Sequence, residues 1–322
     1  MKVTKQMHHR ELQSAYWPLK LTSKVLMNKV GMRLLNANSA RSKGKNIDGL
    51  RCEEQYISSR NGGPSIRIRI FKPLDQPAEL PIMLYIHGGG LLMGNPEDYL
   101  TIIKNFIDTQ PCIIVAPDYR KAFDAPYPAA FNDCYDTLLW INDNANALGA
   151  IQNKLIVAGH SAGGGLAAAV TLKATDTQDV KIAFQMPIYP MLDDRQTSDS
   201  AKDNNSPGWN SKSNQLGWSM YLRELNLHRR EIPAYAAPAR ANDYSKLPPT
   251  ITFVGGLEPF RDETIDYVNN LKRAAIPVTF KLYDGCFHAF DVVFPKLEIS
   301  KNAWSFLLNA YTNHIEKYIY SE

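Results

Sequence analysis

The sequence predicts an α/β fold in which helices cover both faces of a mostly parallel sheet. Short apolar runs at residues 82–86, 113–116 and 155–158 predict strands that are buried on both faces, as in parallel sheets. Stretches with helical spacing of apolar residues separate these runs, so strand and helix alternate along the chain. A chain of 322 residues is long enough for one such domain with added segments.

The first part of the chain differs from this pattern. Residues 1–50 contain few strand signals and predict a helical arm. Its apolar residues at helical spacing are Leu19, Val25, Leu26, Val30 and Leu34. Residues 66–70 then alternate isoleucine with arginine, which predicts a half-buried strand near an edge of the sheet. The regular core is expected to begin with this strand.

The alternation of strand and helix continues towards the C-terminus. The clearest helix follows Pro128, because its apolar residues share one face. These residues are Phe131, Tyr135, Leu138 and Leu139. Later strands are predicted at residues 182–186, 251–254 and 278–283, with a helix at 262–275 between the last two. Residues 191–235 are polar and interrupt the alternation, which predicts an insertion over the carboxyl edge of the sheet.

The composition is that of an ordinary soluble globular protein. Hydrophobic residues make up 44% and charged residues 21% of the chain, and no segment is apolar for the length that a bilayer requires. The net charge of +4 is small, so neither nucleic acid nor a membrane is expected as a partner. The short basic stretch at Arg41, Lys43 and Lys45 predicts a solvated loop.

The cysteines and histidines indicate a protein without metal or disulfides. Four cysteines are widely spaced and match neither a disulfide framework nor a zinc site, which predicts reduced thiols and a cytoplasmic location. They are Cys52, Cys112, Cys134 and Cys286. The charged first residues leave no room for the apolar part of a signal peptide. The histidines lack the HExxH spacing of a metal-dependent hydrolase, and no cofactor is expected.

A candidate nucleophile lies in the pentapeptide Gly-His-Ser-Ala-Gly at residues 159–163. It follows a predicted strand and precedes a strong helix start, which is the context of a nucleophile elbow. A sharp turn at Ser161 would push its hydroxyl out of the sheet, and the flanking glycines permit the close packing that this turn needs. A bare pentapeptide is more often an ordinary turn, so the context carries the hypothesis.

A candidate oxyanion hole follows the strand at residues 82–86. The His-Gly-Gly-Gly run at 87–90 allows close approach to a substrate carbonyl, and the amides of Gly88, Gly89 and Ala162 are the expected donors. The dinucleotide-binding pattern fails because Met93 stands where a third glycine is needed, and no Walker lysine follows. His87 is expected to brace this loop through hydrogen bonds rather than act as a base.

The general base and its acid are expected late in the chain. His288 lies in the loop after the last predicted strand, where an imidazole can take the proton of Ser161. The acid should follow the strand at 251–254, and three residues are candidates: Glu258, Asp262 and Glu263. Glu258 lies closest to the strand end, whereas the other two fall at a helix start, where acids commonly cap the helix.

These separated motifs resemble the hormone-sensitive-lipase-like bacterial carboxylesterases of the α/β-hydrolase superfamily. The matching blocks are residues 87–90 with Gly94, 118–120, 127–130, 159–163, 189–194 and 258–263. The resemblance covers residues 50–322 and implies an eight-stranded sheet with a helical cap. It also implies hydrolysis of short- to medium-chain acyl esters without cofactor or metal. The family commonly has aspartate where this chain has Glu258.

The resemblance also implies a division of the chain. Residues 1–50 and 191–235 would form the cap, and residues 51–190 and 236–322 the two parts of the hydrolase core. Aromatic residues of this cap are expected to close a small substrate pocket, or else only to attach the cap to the core. The pocket candidates are Leu91, Trp209, Trp218 and Tyr221, with Tyr16 and Trp17 from the arm.

Two other functions are compatible with the same motifs. An amidase or peptidase would use the same triad, and a non-catalytic ligand-binding protein would have the same fold. An intact set of Ser161, Glu258 and His288 argues against the second. The expected partner is a small-molecule ester, and the sequence leaves a homodimer open.

Overall fold

Eight strands form one sheet in the described part of the chain. The structure is a computed structural model that describes residues 1–60, 62–76 and 79–320. The strands are β1 (Leu50–Ile57), β2 (Ile66–Pro73), β3 (Leu80–Ile86), β4 (Ile113–Pro117), β5 (Ala150–His160), β6 (Ile182–Ile188), β7 (Thr250–Gly255) and β8 (Val278–Tyr283). Their order across the sheet is β1-β2-β4-β3-β5-β6-β7-β8. β2 is antiparallel to both of its neighbours, and the remaining pairs are parallel. The predicted mostly parallel sheet is confirmed.

Helices connect most of these strands. They are α1 (Tyr16–Leu26), α2 (Lys29–Ser39), α3 (Leu100–Thr109), α4 (Ala129–Leu148), α5 (Ala162–Thr177), α6 (Ser211–Tyr221), α7 (Arg223–Leu227), α8 (Arg261–Arg273), α9 (Phe290–Val293) and α10 (Glu298–Ile315). A short 3-10 turn at Pro96–Tyr99 precedes α3. Within the described ranges, no helix combines the length and the hydropathy that crossing a bilayer requires.

The central strands are buried on both faces, as the apolar runs predict. Leu84 of β3 packs in a cluster with Leu138 of α4 and Val170 of α5. Its neighbour Met83 points to the opposite face and packs in a second cluster with Phe106 of α3 and Leu307 of α10. All six side chains are fully buried, so the alternation of side chains along β3 supplies two hydrophobic cores at once.

The strand at residues 66–70 is not half-buried, and this prediction was wrong. β2 is covered on both sides by β1 and β4, and Arg67 and Arg69 are 8% and 1% exposed. Both guanidinium groups donate to the buried carboxylate of Glu97, and Arg67 also donates to Glu54. Because these ion pairs satisfy the charges, arginines at alternating positions are compatible with full burial.

The edge strand on this side is β1, which begins before the predicted start of the core. Its burial pattern is uneven, and only its end residues Leu50 and Ile57 are buried. The residues between them are mostly polar, so the sequence of β1 lacks the alternation of apolar and polar residues that predicts a strand. An edge strand needs pairing on one side only, so backbone hydrogen bonds to β2 are sufficient to form it.

The arm is helical as predicted, and the structure shows which of its residues are buried. Val25, Val30 and Leu34, three of the apolar residues at helical spacing, are 68%, 67% and 64% exposed. The buried residues of this segment include Leu12 and Tyr16, which are outside that set. The arm is attached to the inserted segment by hydrogen bonds from the Val3 amide to Asn205 Oδ1 (2.6 Å) and from the Gly208 amide to Ser23 Oγ (2.7 Å).

Candidate active site

Ser161 occupies a sharp turn between β5 and α5. Its backbone has φ 60° and ψ −121°, a strained conformation for a residue with a side chain. A Cβ atom at Gly159 would lie 2.3 Å from the Gly163 oxygen, and one at Gly163 would lie 2.1 Å from the Ile86 oxygen. Only glycine fits at both positions, so the predicted elbow depends on the two glycines for its tightness.

The structure brings together the three side chains that the sequence singles out as a triad. Ser161 Oγ lies 2.8 Å from His288 Nε2, and His288 Nδ1 makes a short hydrogen bond with Glu258 Oε2. Ser161 and His288 are 8% and 7% exposed, and Glu258 is fully buried. A neutral imidazole in this position accepts the serine proton at Nε2 while Nδ1–H donates to the carboxylate.

Hydrogen bonds between two loops hold the acid beside the imidazole. Glu258 lies in the loop after β7, and its Oε1 accepts a hydrogen bond from the Gly255 amide (2.7 Å). The Leu257 amide donates to the oxygen of Cys286 (2.9 Å), two residues before His288. The bond from Gly255 fixes one carboxylate oxygen of Glu258, and the bond between the two loops fixes the distance to His288. The glutamate side chain, which is longer than aspartate, is therefore held in one orientation.

The glycine-rich loop after β3 lies beside the nucleophile. A Cβ atom at Gly88 would be 3.3 Å from Ser161 Cβ and 2.5 Å from the Tyr99 hydroxyl. Burial raises the pKa of Tyr99, and a hydrogen bond with the Gly88 backbone opposes this rise. Gly89 has φ 117°, a conformation that favours glycine. Ala162 is the first residue of α5, so its amide has no partner within the helix.

The comparisons with known proteins agree with this geometry. The sequence profile of the α/β hydrolase fold family matches residues 83–292. The chain belongs to the hormone-sensitive-lipase-like family of α/β hydrolases. It is 36% identical to Esterase LipI of Mycobacterium tuberculosis over 67% of this chain and 68% of that protein. It is 30% identical to an arylesterase of Saccharolobus solfataricus over 69% of this chain and 72% of the relative.

A solved structure extends the likeness to the whole length. The structure of a bacterial heroin esterase superposes with a TM-score of 0.83 and 29% sequence identity, covering 97% of this chain and 99% of that chain. The family and fold that the motifs predicted are therefore confirmed. The match includes the arm, which the family profile does not reach.

The two other candidate acids of this hydrolase lie in the first turn of α8 and bind the inserted segment instead of His288. Asp262 Oδ2 accepts a hydrogen bond from the Ser200 amide (2.7 Å), and Glu263 Oε1 accepts one from the Leu192 amide (2.7 Å). Burial raises the pKa of Glu263 well above its usual value. The sequence suggested caps at a helix start, and it gave no signal that these acids attach a segment distant in the chain.

His87 contacts the glycine-rich loop and not Ser161. Its Nδ1 lies 2.7 Å from the Gly88 oxygen, and its Nε2 lies 3.2 Å from the ammonium of the buried Lys121. Burial lowers the pKa of His87 well below its usual value, and Lys121 lowers it further. A neutral ring then donates from Nδ1 and accepts at Nε2, which braces the loop as the sequence suggested.

Two aromatic rings that the sequence reasoning did not single out enclose the His288 ring. Phe260 and Tyr189 stand edge-on to the imidazole, at 4.9 Å and 5.0 Å between ring centroids. The Tyr189 hydroxyl donates to the buried Asp291 (3.4 Å). Burial raises the pKa of Asp291 to about 7. Tyr189 and Phe260 lie in sequence blocks that resemble the family, which was the only available signal for them.

The predicted pocket residues occupy different places. The Trp209 ring lies against the glycine-rich loop, because a Cβ atom at Gly90 would be 2.0 Å from it. Leu91 is buried, and Trp218 and Tyr221 pack with it in the same core cluster. Trp17 is 59% exposed, so its predicted part in a closed pocket was wrong. Over the described residues, no three His, Cys, Asp or Glu side chains group as a metal site would require.

Proposed function

We propose that this protein is a serine carboxylesterase that hydrolyses short- to medium-chain acyl esters of small molecules. The observation that carries the proposal is the unbroken series of hydrogen bonds from Ser161 Oγ through His288 to Glu258. It lies at the carboxyl ends of the parallel strands, where α/β enzymes hold their ligands. Relatives at 30–36% identity are named as esterases, which supports the same activity for this chain.

The reaction proceeds by acyl transfer to the serine. Ser161 Oγ attacks the ester carbonyl while His288 Nε2 takes its proton, and the negatively charged Glu258 stabilises the imidazolium. The tetrahedral intermediate collapses when the protonated His288 gives its proton to the leaving alcohol. Water then enters, loses a proton to His288 and attacks the acyl-serine, which releases the carboxylic acid and restores the serine hydroxyl.

Backbone amides are proposed to stabilise the oxyanion during both steps. The candidate donors are the amides of Gly88, Gly89 and Ala162. The Tyr99 hydroxyl lies close to the first of them, since a Cβ atom at Gly88 would be 2.5 Å from it. Amides that are fixed in place before the reaction stabilise charge that develops only in the transition state.

The position of Trp209 is the basis for the proposed acyl-chain preference. Trp209 is 7% exposed and lies against Gly90, directly beyond the proposed oxyanion donors. A bulky ring at this place limits the space for an acyl chain. A series of p-nitrophenyl esters from acetate to palmitate is expected to show its rate maximum at short to medium chains. A maximum at long, emulsified chains would contradict this part of the proposal.

Covalent labelling tests the assignment of the nucleophile and its base. Diethyl p-nitrophenyl phosphate is expected to label Ser161, as read by peptide mass spectrometry, because the activated serine attacks phosphorus as it attacks a carbonyl. His288→Ala should suppress this labelling, whereas His228→Ala, at an exposed histidine, should leave it intact. Undiminished labelling in the His288 variant would assign the base to another histidine, with His87 the next candidate.

A matched anilide assayed beside the aryl ester measures the amidase alternative. An ester rate that exceeds the anilide rate by orders of magnitude supports the esterase assignment, and equal rates would favour an amidase. A homodimer and a cytoplasmic location stay predictions from the sequence.

A further inference from the structure

A cavity of about 420 Å³ lies between the arm and the inserted segment. Its walls come from α1, the start of α2, residues 204–206 and the start of α6. The triad residues do not line it. The proposed mechanism therefore leaves this cavity without a role.

Lysine is the only charged residue type in the cavity wall. The four lysines are Lys20, Lys24, Lys29 and Lys212, and the other lining residues are neutral. Lys20 donates to the Tyr16 hydroxyl (2.8 Å), and within the described chain none of the four forms an ion pair with a carboxylate. Four ammonium groups around one cavity repel each other, and an anion between them would remove this cost.

Two helices add positive potential at the same place. Asn28 caps α2 and Asn210 caps α6, and both residues line the cavity. The N-terminus of an α-helix carries a partial positive charge, where acidic residues are stabilising and basic residues are not. Yet Lys29 and Lys212 stand in the first turns of these two helices. The sequence thus places lysine twice at a position that disfavours it unless an anion is bound nearby.

A buried hydroxyl without a partner supplies an independent sign of a ligand. Ser206 lines the cavity and is 1% exposed, and its Oγ has no hydrogen-bond partner among the described residues. Buried polar groups in native proteins are nearly always hydrogen-bonded, so this hydroxyl is expected to gain a partner when a ligand binds in the adjoining cavity. A carboxylate or phosphate oxygen between the lysines would be a suitable acceptor.

The cavity adjoins the elements that surround the triad. Asn204, in its wall, donates through Nδ2 to the oxygen of Leu257 (3.1 Å), which precedes Glu258. Leu216, also in its wall, is followed by Gly217, where a Cβ atom would lie 3.0 Å from the Gly90 oxygen. One wall residue thus contacts the acid loop, and another precedes in sequence a residue that contacts the glycine-rich loop.

The arm that forms one wall of the cavity also carries an excess of basic residues. Residues 1–49 contain ten Lys and Arg residues and two acidic residues, although the net charge of the whole chain is only +4. The arm that forms one wall of the cavity is thus strongly basic, and the remainder is slightly acidic. A basic rim concentrates anionic molecules near the mouth of a site.

We propose that this cavity binds the anionic end of the ester substrate, a carboxylate or phosphate carried at a distance from the scissile bond. The inference rests on the proposed esterase activity and specifies its substrate class. In this arrangement the lysines and the Ser206 hydroxyl hold the charged end while Ser161 attacks the ester. A neutral ester of equal length lacks this contact and binds less tightly.

Half-esters of dicarboxylic acids test this substrate class directly. Mono-p-nitrophenyl esters with acyl chains of increasing length are compared with p-nitrophenyl esters of the monocarboxylic acids of equal length, after subtraction of spontaneous hydrolysis. At one chain length or more, kcat/KM for the half-ester is expected to exceed that for its neutral counterpart. Added salt should reduce this ratio, because charge pairs at an open cavity are screened.

Variants connect the preference to the cavity. Lys24→Gln, Lys29→Gln and Lys212→Gln should each lower the ratio of half-ester to neutral-ester kcat/KM by about twofold to fivefold. Ser206→Ala should lower the same ratio. If the Ser206 hydroxyl had only a structural role, its removal would change kcat/KM for both substrates to the same extent. Lys272→Gln makes the same charge change on the exposed surface of α8 and should leave the ratio unaltered.

The results distinguish failure of this inference from failure of the esterase proposal. A ratio that stays constant in every lysine variant and in Ser206→Ala would overturn the inference and leave the esterase assignment standing. Absence of hydrolysis for neutral and charged esters alike would instead refute the esterase proposal, and the inference with it. Inorganic phosphate should compete with the half-ester only, and inhibition of the neutral ester to the same extent would also overturn the inference.

Discussion

The carboxyl edge of the sheet and the segments that cover it differ in where their residues lie along the chain and in how they are held in place. At the edge, each proposed catalytic residue lies in a short loop directly after a strand, and neighbouring loops are tied by backbone hydrogen bonds. Above it, side chains such as Asp262 and Ser23 attach the arm and the inserted segment, together with a few backbone bonds such as that from the His9 amide to the Gly285 oxygen (2.9 Å). The edge fixes the chemistry, and we expect the cover to adjust stability and substrate choice.

The largest expected effect is on the nucleophile at the edge. Ser161→Ala removes one oxygen from a turn whose shape depends on its glycines, so the fold should be kept. Loss of the nucleophile is expected to lower kcat by about 10⁶-fold, as in other serine hydrolases. Hydrolysis of p-nitrophenyl acetate and far-ultraviolet circular dichroism measure the two quantities. Persistent turnover with a native spectrum would show that Ser161 is not the nucleophile.

The next prediction compares two acids that lie four residues apart and serve the two regions. Glu258→Gln keeps the shape of the side chain but removes the charge that stabilises the imidazolium, so kcat should fall by about 10⁴-fold. Asp262→Asn weakens the attachment of Ser200 and should cost about 1–3 kcal/mol of unfolding free energy, with kcat nearly unchanged.

Each variant is the control for the other in this comparison. Steady-state kinetics and urea denaturation are measured on both proteins. If the Asn variant loses turnover and the Gln variant keeps it, the acid of the triad has been misassigned.

A third prediction uses two tryptophans of the covering segments. Trp209→Ala opens space beside Gly90 and should shift the preferred acyl chain to greater length, with a loss of about 3–5 kcal/mol in stability. Trp17→Ala removes a ring that is 59% exposed and should change neither property appreciably. The acyl-chain series and thermal unfolding measure both. An unaltered chain preference in the Trp209 variant would mean that this ring only attaches the inserted segment to the core.

Sequence reasoning placed the strands, the turn at Ser161 and the loop of His288 correctly because their signals are local. A strand, a glycine-flanked serine and a helix start follow each other within residues 155–170, and the loop after β8 places His288 late in the chain. It failed where contacts with residues far along the chain determine burial. Arg67 and Arg69 are buried because Glu97 neutralises them, which no spacing within β2 could reveal.

The covering segments show the same limit. The arm's helical spacing correctly predicted α1 and α2, but it did not predict which face would be buried. That choice depends on residues far along the chain, such as the segment at residues 204–210 and the core cluster that contains Leu12 and Phe287. Local spacing determines a helix, and tertiary contacts determine its orientation.

The last prediction concerns a buried acid at the edge itself and an effect on stability alone. Burial raises the pKa of Asp291 to about 7, from about 4 in an unfolded chain. Between these values the folded protein holds a proton that the unfolded chain has released, so the stabilising contribution of Asp291 is full at low pH and is lost as the pH rises towards 7. The unfolding free energy should therefore fall with rising pH in this window, by at most about 1.4 kcal/mol per pH unit from this group.

Asp291→Asn cannot ionise, so this variant should gain stability relative to the parent at pH 8 and not at pH 4.5, as measured by urea denaturation at both values. A difference between the two proteins that is the same at both pH values would show that Asp291 is ionised throughout, and that the histidine loop tolerates a second buried charge near Glu258.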